Sequence, residues 1–203
     1  MIILLGFPKT GTISFQYLFK KLGYKSYHQI YKEGQWISKL MMNQISLERN
    51  LLDFIPKDER NITCLTQMDH CLYDKDNNFI NFWPQLSHYK ELYYQNEDSI
   101  FILNKRNTSD LLLSFKNQFC QGISLYDRFI KHNKNLFSKE CTDDENMLNL
   151  FENHYKNIIE FFTKKKSKFI IYDLNTDNIN KIKKYIDIKD IKEFPHKHKT
   201  KKI

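Results

Sequence analysis

The first fourteen residues contain several side chains that can bind an anion. Lys9 carries a positive charge, and the hydroxyl groups of Thr10, Thr12 and Ser14 can donate hydrogen bonds. They follow an apolar run at residues 2–5, typical of a buried strand, and lead into an amphipathic segment typical of a helix. Backbone N–H groups at such a junction converge on one point, where the helix dipole adds partial positive charge. The segment therefore predicts a phosphate-binding loop.

The position of the lysine separates two kinds of phosphate site. Gly6 and Gly11 have the spacing of the pattern G-x-x-x-x-G-K-[ST], which places a lysine directly after the second glycine. This chain has Thr12 there, whereas Lys9 follows Pro8 and precedes Gly11 by two residues. The loop therefore departs from the common nucleotide-triphosphate pattern. An ordinary strand–turn–helix corner with a surface lysine is the alternative.

Apolar runs alternate with amphipathic segments along the chain. The expected strands are residues 2–5, 62–65, 100–103 and 169–172. The expected helices cover residues 15–22, 36–45, 51–55, a segment from 108, 142–162 and 177–186, and residues 79–95 are expected to form a loop and a helix. This alternation predicts an α/β fold, a three-layer parallel sheet with helices on both faces. We expect one domain over residues 1–203, with a basic tail at 195–203.

Three helix boundaries carry recognisable signals. Gly23 is suited to end the first helix, and Thr108 is suited to cap a later one, with Asp110 in its first turn. Thr142 and Glu145 have the spacing of a capping box that opens a long helix.

Polar clusters follow three of the expected strands. They are the loop at residues 6–14, the pair Asp69-His70, and residues 104–106. Ligands of parallel α/β sheets bind beyond the carboxyl ends of the strands. The topology therefore predicts that these clusters meet in one site.

Arg106 and Ser114 form a second candidate phosphate site. Arg106 leaves the third strand, and Ser114 lies eight residues later, about two turns into the next helix, so the pair can hold a phosphate from two sides. The sequence has no Ala or Val and four arginines, the others being Arg49, Arg60 and Arg128. In this lysine-rich composition an arginine is the more informative cation. An arginine at the sheet edge and a solvent-exposed serine are the alternative.

Together these motifs resemble those of the sulfotransferases that use 3′-phosphoadenosine 5′-phosphosulfate (PAPS). Residues 6–14, followed by Leu-Gly-Tyr at 22–24 and then His28, are similar to a small branch with the pattern G-x-x-[RK]-T-G-T-x-S and then L-G-[FY]. Residues 92–114 resemble its helix–strand–Arg–helix–Ser segment. Residues 169–195 are similar to its closing strand, helix and Phe-Pro.

The resemblance implies a P-loop-type sheet and a metal-independent, in-line transfer of the sulfuryl group from PAPS to a hydroxyl or amine. The product would be adenosine 3′,5′-bisphosphate. It implies that Lys9 holds the oxygen that bridges phosphate and sulfate, and that Arg106 and Ser114 bind the 3′-phosphate. The residues implied at the 5′-phosphate are Pro8, Lys9, Thr10, Gly11, Thr12 and Ser14.

An acceptor hydroxyl needs a general base. Family members use a histidine or an acidic residue near the sulfate, often just after the second core strand, where this chain has Asp69 and His70. Histidine titrates near neutrality, so His70 is favoured, with Asp69 as its orienter or as the base itself. His28 and Glu33 are rivals, because other branches draw a glutamate from the segment after the first helix.

Two family features are missing. The steroid and phenol sulfotransferases carry a C-terminal Arg-Lys-Gly motif at the 3′-phosphate, and this chain has only lysines at 197, 199, 201 and 202 in that region. They also have a tryptophan after the first loop, where this chain has Ile13.

Composition narrows the range of partners. The net charge of +8 suits an anionic ligand, but the lysine excess accompanies an excess of Asn, Ile, Phe and Tyr, as AT-rich coding sequence would give. We expect a small-molecule or glycan acceptor and no nucleic acid. The cysteines form no C-x-x-C pair, which favours reduced thiols and no metal. They are Cys64, Cys71, Cys120 and Cys141.

No apolar run is long enough for a membrane span or a signal-peptide core, so we expect a cytoplasmic protein. The sequence leaves its oligomeric state and its acceptor open. Two other functions are compatible with the motifs: a P-loop kinase for a nucleotide or small molecule, and a non-catalytic module that binds nucleotide or nucleic acid.

Overall fold

The computed structural model describes residues 1–73, 79–132, 143–188 and 191–195. Cys141, Thr142 and the basic tail from residue 196 lie outside these described residues. The described strands are β1 (Ile2–Leu4), β2 (Lys25–His28), β3 (Thr63–Gln67), β4 (His70–Tyr73), β5 (Phe79–Phe82), β6 (Ile100–Lys105), β7 (Phe119–Cys120), β8 (Ile123–Ser124) and β9 (Lys168–Asp173). The α-helices are α1 (Thr12–Lys21), α2 (Ile37–Ser46), α3 (Pro84–Ser87), α4 (Tyr89–Tyr94), α5 (Thr108–Lys116), α6 (Leu125–His132) and α7 (Asp144–Thr163).

Five strands form a parallel sheet in the order β2-β3-β1-β6-β9. β1 is central, with Ile2 opposite Cys64 of β3 on one side and Ile100 of β6 on the other. The pairs β4–β5 and β7–β8 are small antiparallel hairpins outside this sheet. The predicted fold class, a parallel sheet with helices on both faces, is confirmed.

The sheet separates two apolar cores. Ile2 and Leu4 pack on one face with α1 and the C-terminal segment, whereas Ile3 and Leu5 pack on the other with α2, α5 and α7. Successive side chains of a strand point to opposite faces. A strand buried on both faces must be apolar at every position, which explains the unbroken run Ile-Ile-Leu-Leu at its start.

Several predicted elements differ from the structure. β2 was not predicted, because its sequence Lys-Ser-Tyr-His carries no apolar run. The helix predicted at 51–55 is wrong: these residues form turns. Turn hydrogen bonds join Asp53 N–H to the Asn50 carbonyl and Ile55 N–H to the Leu52 carbonyl. Side chains outside the segment add to them, since Gln95 accepts from the Leu51 N–H and Arg60 donates to the carbonyls of Leu52 and Ile55.

Other helices are shorter or capped differently. The segment 79–95, expected to be a loop and one helix, contains β5 and the two short helices α3 and α4. The helix expected at 177–186 is a 3₁₀ helix at Ile179–Lys184. Asn107, rather than Thr108, caps α5, because its side chain accepts from the N–H groups of Ser109 and Asp110. Asp143 caps α7 in place of Thr142. Gly23 directly follows the C-cap of α1 at φ +87°, as predicted.

The described cysteines Cys64, Cys71 and Cys120 are free thiols. None of the helices in the described part of the chain combines the length and the apolar character needed to cross a bilayer.

Gly6 lies where two strands come unusually close. A Cβ on Gly6 would lie 2.0 Å from the carbonyl oxygen of Asn104, at the end of β6. We expect Gly6→Ala to lower the free energy of unfolding by about 3 kcal/mol, since the backbone must move to accept the methyl group. Urea denaturation measures this loss.

Gly34→Ala is the matched control. Gly34 is exposed at φ +76°, and a Cβ added there would have no described atom within 4 Å. Only left-handed strain applies, so we expect a loss of about 1 kcal/mol. Equal losses in the two variants would contradict the steric argument.

Candidate active site

The loop between β1 and α1 contains two residues in the left-handed region of backbone conformation. Lys9 has φ +70° and Gly11 has φ +79°. Glycine adopts this region without steric cost, whereas lysine does so only under strain. The first N–H groups of a helix have no acceptor within it, and those of α1 begin at Thr12, directly after this turn. The loop therefore directs the positive end of the α1 dipole beyond the strand ends.

The side chain of Asn104 forms hydrogen bonds that fix this loop. Its Oδ1 accepts from the Gly6 N–H at 2.9 Å, and its Nδ2 donates to the Thr10 carbonyl at 3.2 Å and hydroxyl at 2.6 Å. The Thr10 hydroxyl in turn donates to the Phe7 carbonyl. Thr10 is fully buried, so its hydroxyl stabilises the conformation of the loop.

His154 of α7 supports the base of the loop. Its Nε2 donates to the Leu5 carbonyl at 2.9 Å, and its ring packs edge-on against Phe7 at 4.8 Å between centroids. Burial lowers the pKa of His154 to about 4, so the ring is neutral in the folded protein near neutral pH.

A cavity of about 980 Å³ opens at the carboxyl ends of the five strands. Every strand of the parallel sheet contributes to its wall, at or just beyond its carboxyl end. The predicted site residues that line it are Pro8, Lys9, Gly11, Thr12, Ser14, His28, Asp69, Arg106 and Ser114. Of the described residues that line the cavity, none is Thr10, His70 or Glu33.

Lys9 and Arg106 lie side by side in this wall. Arg106 Nη1 donates to the Lys9 carbonyl at 3.4 Å, and both side chains are half-buried. Burial, and next the Arg106 charge, lower the pKa of Lys9. Within the described ranges no carboxylate reaches ion-pair distance of either cation. Two adjacent cations without a counter-charge form a site for an anion.

Lys9 is oriented by a neutral partner. Its Nζ donates to Gln118 Oε1 at 2.7 Å. An amide oxygen fixes the direction of the ammonium group and leaves its charge intact.

Ser114 is a buried donor aimed at the same cavity. It is 2% exposed, and its Oγ has no hydrogen-bond partner among the described residues. A buried hydroxyl without a partner costs free energy, which a ligand oxygen could recover. Arg106 and Ser114 thus bring a cation and an unpaired donor to one wall.

Asp69 lies at the end of β3 with its carboxylate held by two amides. Gln67 donates to Oδ2 at 3.1 Å and Gln85 to Oδ1 at 2.9 Å. Burial raises the pKa of Asp69 to about 6, against the opposing effect of these hydrogen bonds. A carboxylate with this pKa at a cavity wall can accept a proton near neutral pH.

The other candidate bases lie differently. His70 is buried behind the wall, with Nδ1 3.3 Å from Ser38 Oγ and its ring 4.4 Å from that of Trp36. Glu33 is exposed. His28 lines the cavity, and its Nε2 lies 3.1 Å from Thr12 Oγ1.

The full sequence, residues 1–203, matches a family profile described as a sulfotransferase domain. The chain belongs to the sulfotransferase domain family. A search of curated proteins gives no match.

Two kinases are similar in structure. One is shikimate kinase from Bacteroides thetaiotaomicron, 13% identical with a TM-score of 0.48, the match covering 90% of this chain and 92% of that chain. The other is deoxyadenosine kinase from M. mycoides with bound dATP, 15% identical with a TM-score of 0.39, covering 90% and 95%. At these identities and scores they carry no argument about activity.

Sequence reasoning missed several residues of this sulfotransferase-family cavity. Gln67 and Gln118 orient the charged groups, but a single glutamine carries no motif. Arg128 lines the cavity because the β7–β8 hairpin and α6 bring it there, and its rarity was the one signal available. His154 lies in the middle of a predicted helix with nothing to distinguish it. The described residues contain no cluster of three or more His, Cys, Asp and Glu side chains that could hold a metal ion.

The neutral state of His154 predicts a pH dependence of stability. Its pKa in the folded protein, about 4, lies below the ordinary 6.5, so the unfolded chain binds a proton at higher pH. The stability that the neutral ring contributes is complete above about pH 6.5 and is lost as the pH falls towards 4. His154→Gln keeps an N–H for Leu5 and removes this titration. The advantage of the unsubstituted protein over the variant should shrink by roughly 3 kcal/mol between pH 7 and pH 4.

Chemical denaturation across that pH range measures the difference. Titrations common to both proteins, including that of Asp69, cancel in the comparison. Parallel stability curves would show that His154 is not held neutral.

Proposed function

We propose that this protein transfers the sulfuryl group of PAPS to an acceptor hydroxyl or amine. The observation that carries the proposal is the contact between the two phosphate motifs. Arg106, 97 residues from Lys9 in sequence, donates to the Lys9 carbonyl, and both side chains line one cavity with Ser114. Membership of the sulfotransferase domain family supports the same reaction class.

The donor groups of the cavity fit a nucleotide with two separate phosphates. Lys9 and the N–H groups that begin at Gly11 and Thr12 would bind the 5′-phosphosulfate. Arg106 and the unpaired Ser114 hydroxyl would bind the 3′-phosphate. Buried donors without protein partners are the feature expected of a wall that is completed by ligand oxygens.

When bound, PAPS would supply the sulfuryl group. The nucleophilic oxygen or nitrogen of the acceptor would form a bond to its sulfur, and the bond from sulfur to the bridging oxygen would break, so that this oxygen leaves with the 5′-phosphate. Lys9 Nζ would neutralise the charge that develops on that oxygen. Because Gln118 already orients this ammonium, little reorganisation is needed. Thr12 and Ser14 would fix the phosphate from the first turn of α1.

Asp69 is the base that we propose. It would take the acceptor proton on its carboxylate, for which a pKa of about 6 is suited. His70, which the sequence favours, finds no support in its position behind the wall, packed on Trp36. His28, which faces the cavity beside Thr12, is the remaining rival.

Ligand choice distinguishes the proposed reaction from its alternatives. Adenosine 3′,5′-bisphosphate at about 100 times its Kd, without metal, should stabilise the protein by about 2.7 kcal/mol. This corresponds to a rise in Tm of roughly 5–10 °C for a chain of this length. Arg106→Ala should weaken that binding by roughly 30-fold or more, because a charge-assisted contact to phosphate is lost.

Arg49→Ala is the matched control, because Arg49 is exposed and lies outside the cavity wall. It should leave the bisphosphate shift unchanged. A shift with Mg·ATP but none with the bisphosphate would favour the kinase alternative. Bisphosphate binding with no transfer to any acceptor would favour a non-catalytic module.

The pH dependence of transfer tests the base. With an acceptor found by a labelled-sulfate screen, kcat/KM should be level above about pH 6 and fall tenfold per pH unit below it, as Asp69 becomes protonated. Asp69→Asn should lower kcat by roughly 10²–10⁴ and still bind the bisphosphate. His70→Gln and His28→Gln are the comparison variants. A loss confined to either histidine variant would assign the base to that residue instead.

A further inference from the structure

Arg128 is a buried cation on the wall of the cavity, and it belongs to neither phosphate motif. It lies on α6, after the β7–β8 hairpin, and is 4% exposed. It nevertheless lines the same cavity as Lys9 and Arg106. Removing a guanidinium from water is costly, and buried charges are as a rule paired.

The partners of Arg128 are neutral. Nη1 donates to the Cys71 carbonyl at 2.6 Å, and Nε donates to the Ser124 carbonyl at 3.3 Å. Over the described ranges, no carboxylate reaches ion-pair distance, and Nη2 has no hydrogen-bond partner. The guanidinium is therefore fixed in orientation, has no described counter-charge, and has donors left for an oxyanion.

Arg128 belongs to neither of the proposed nucleotide motifs. Those motifs belong to the loop after β1 and to the β6–α5 segment. Arg128 is instead tied to Cys71 of β4, two residues from Asp69. It therefore lies on the side of the cavity that carries the proposed base, where an acceptor must place its nucleophile.

We propose that the acceptor is itself anionic, and that its carboxylate or sulfate ester pairs with Arg128 while its hydroxyl or amine reaches Asp69. This inference rests on the proposed function, because only a transfer reaction has an acceptor. The recognition chemistry, an oxyanion on a buried guanidinium, does not depend on the donor nucleotide.

Calorimetric titration tests the pairing without any transfer reaction. The protein, saturated with adenosine 3′,5′-bisphosphate, is titrated with two matched pairs of sugars. Glucuronate against glucuronamide tests a carboxylate, and N-acetylglucosamine 6-sulfate against N-acetylglucosamine tests a sulfate ester. We expect the anionic member of at least one pair to bind at least about tenfold more tightly, and the preferred pair identifies the oxyanion.

Arg128→Gln should abolish this preference, and Arg128→Lys should retain part of it, because the charge remains but the fork is lost. Lys131→Gln removes an exposed charge from the same helix and should keep the preference in full. The thermal shift with the bisphosphate establishes that each variant is folded. If Arg128→Gln does not fold, Arg128→Lys and the unsubstituted protein carry the comparison.

Two results would overturn the inference: no tighter binding of the anionic member in either pair, or a preference that survives in Arg128→Gln. In both cases bisphosphate binding by the unsubstituted protein would leave the proposed function standing. If the bisphosphate does not bind, the proposed function fails. The same titrations on nucleotide-free protein then test the Arg128 site alone.

Discussion

The structure of the cavity depends on the side chain of one asparagine. Both ends of the Asn104 side-chain amide form hydrogen bonds with the loop after β1, at Gly6 and at Thr10. The strand that contains Asn104 leads directly to Arg106. The close approach at Gly6, which leaves no room for a Cβ, follows from the bond to Gly6. Two segments about a hundred residues apart are thus held in one geometry. Without that link, each would be an ordinary strand end with a polar residue.

Lys9, Asp69 and Arg128 are each oriented by hydrogen bonds to neutral groups rather than by an opposite charge. Amides hold Asp69, and backbone carbonyls hold Arg128. Opposite charges would fix the same side chains more firmly but would cancel their fields. Burial raises the pKa of Asp69 although its amide partners lower it, and no opposite charge offsets the field of the Arg128 guanidinium. The cost of this arrangement is the desolvation of both groups. Such a cavity stores electrostatic free energy that a complementary ligand can recover.

Local patterns predicted four of the five strands of the sheet, because an apolar run acts within a few residues. What failed depended on distant contacts. β2 pairs with the edge that β3 offers it, and the turns at residues 51–55 include a hydrogen bond from the Leu51 N–H to the side chain of Gln95, 44 residues away. The sequence marked the pair Asp69-His70 but could not tell which one faces the cavity. Neighbours in extended chain point to opposite sides, so this choice depends on the orientation of the whole strand.

The hydrogen bond between Lys9 and Gln118 leaves part of the ammonium group available to a ligand. An ammonium group has three N–H donors, and this bond uses one of them. An incoming oxyanion can therefore take the remaining two without displacing the glutamine. The backbone carbonyl of Gln118 also accepts from the Leu125 N–H at the start of α6, so the loop after β1 and the helix that carries Arg128 are tethered through a single residue. The loop that carries Lys9 and the helix that carries Arg128 are thus linked by hydrogen bonds within the protein itself.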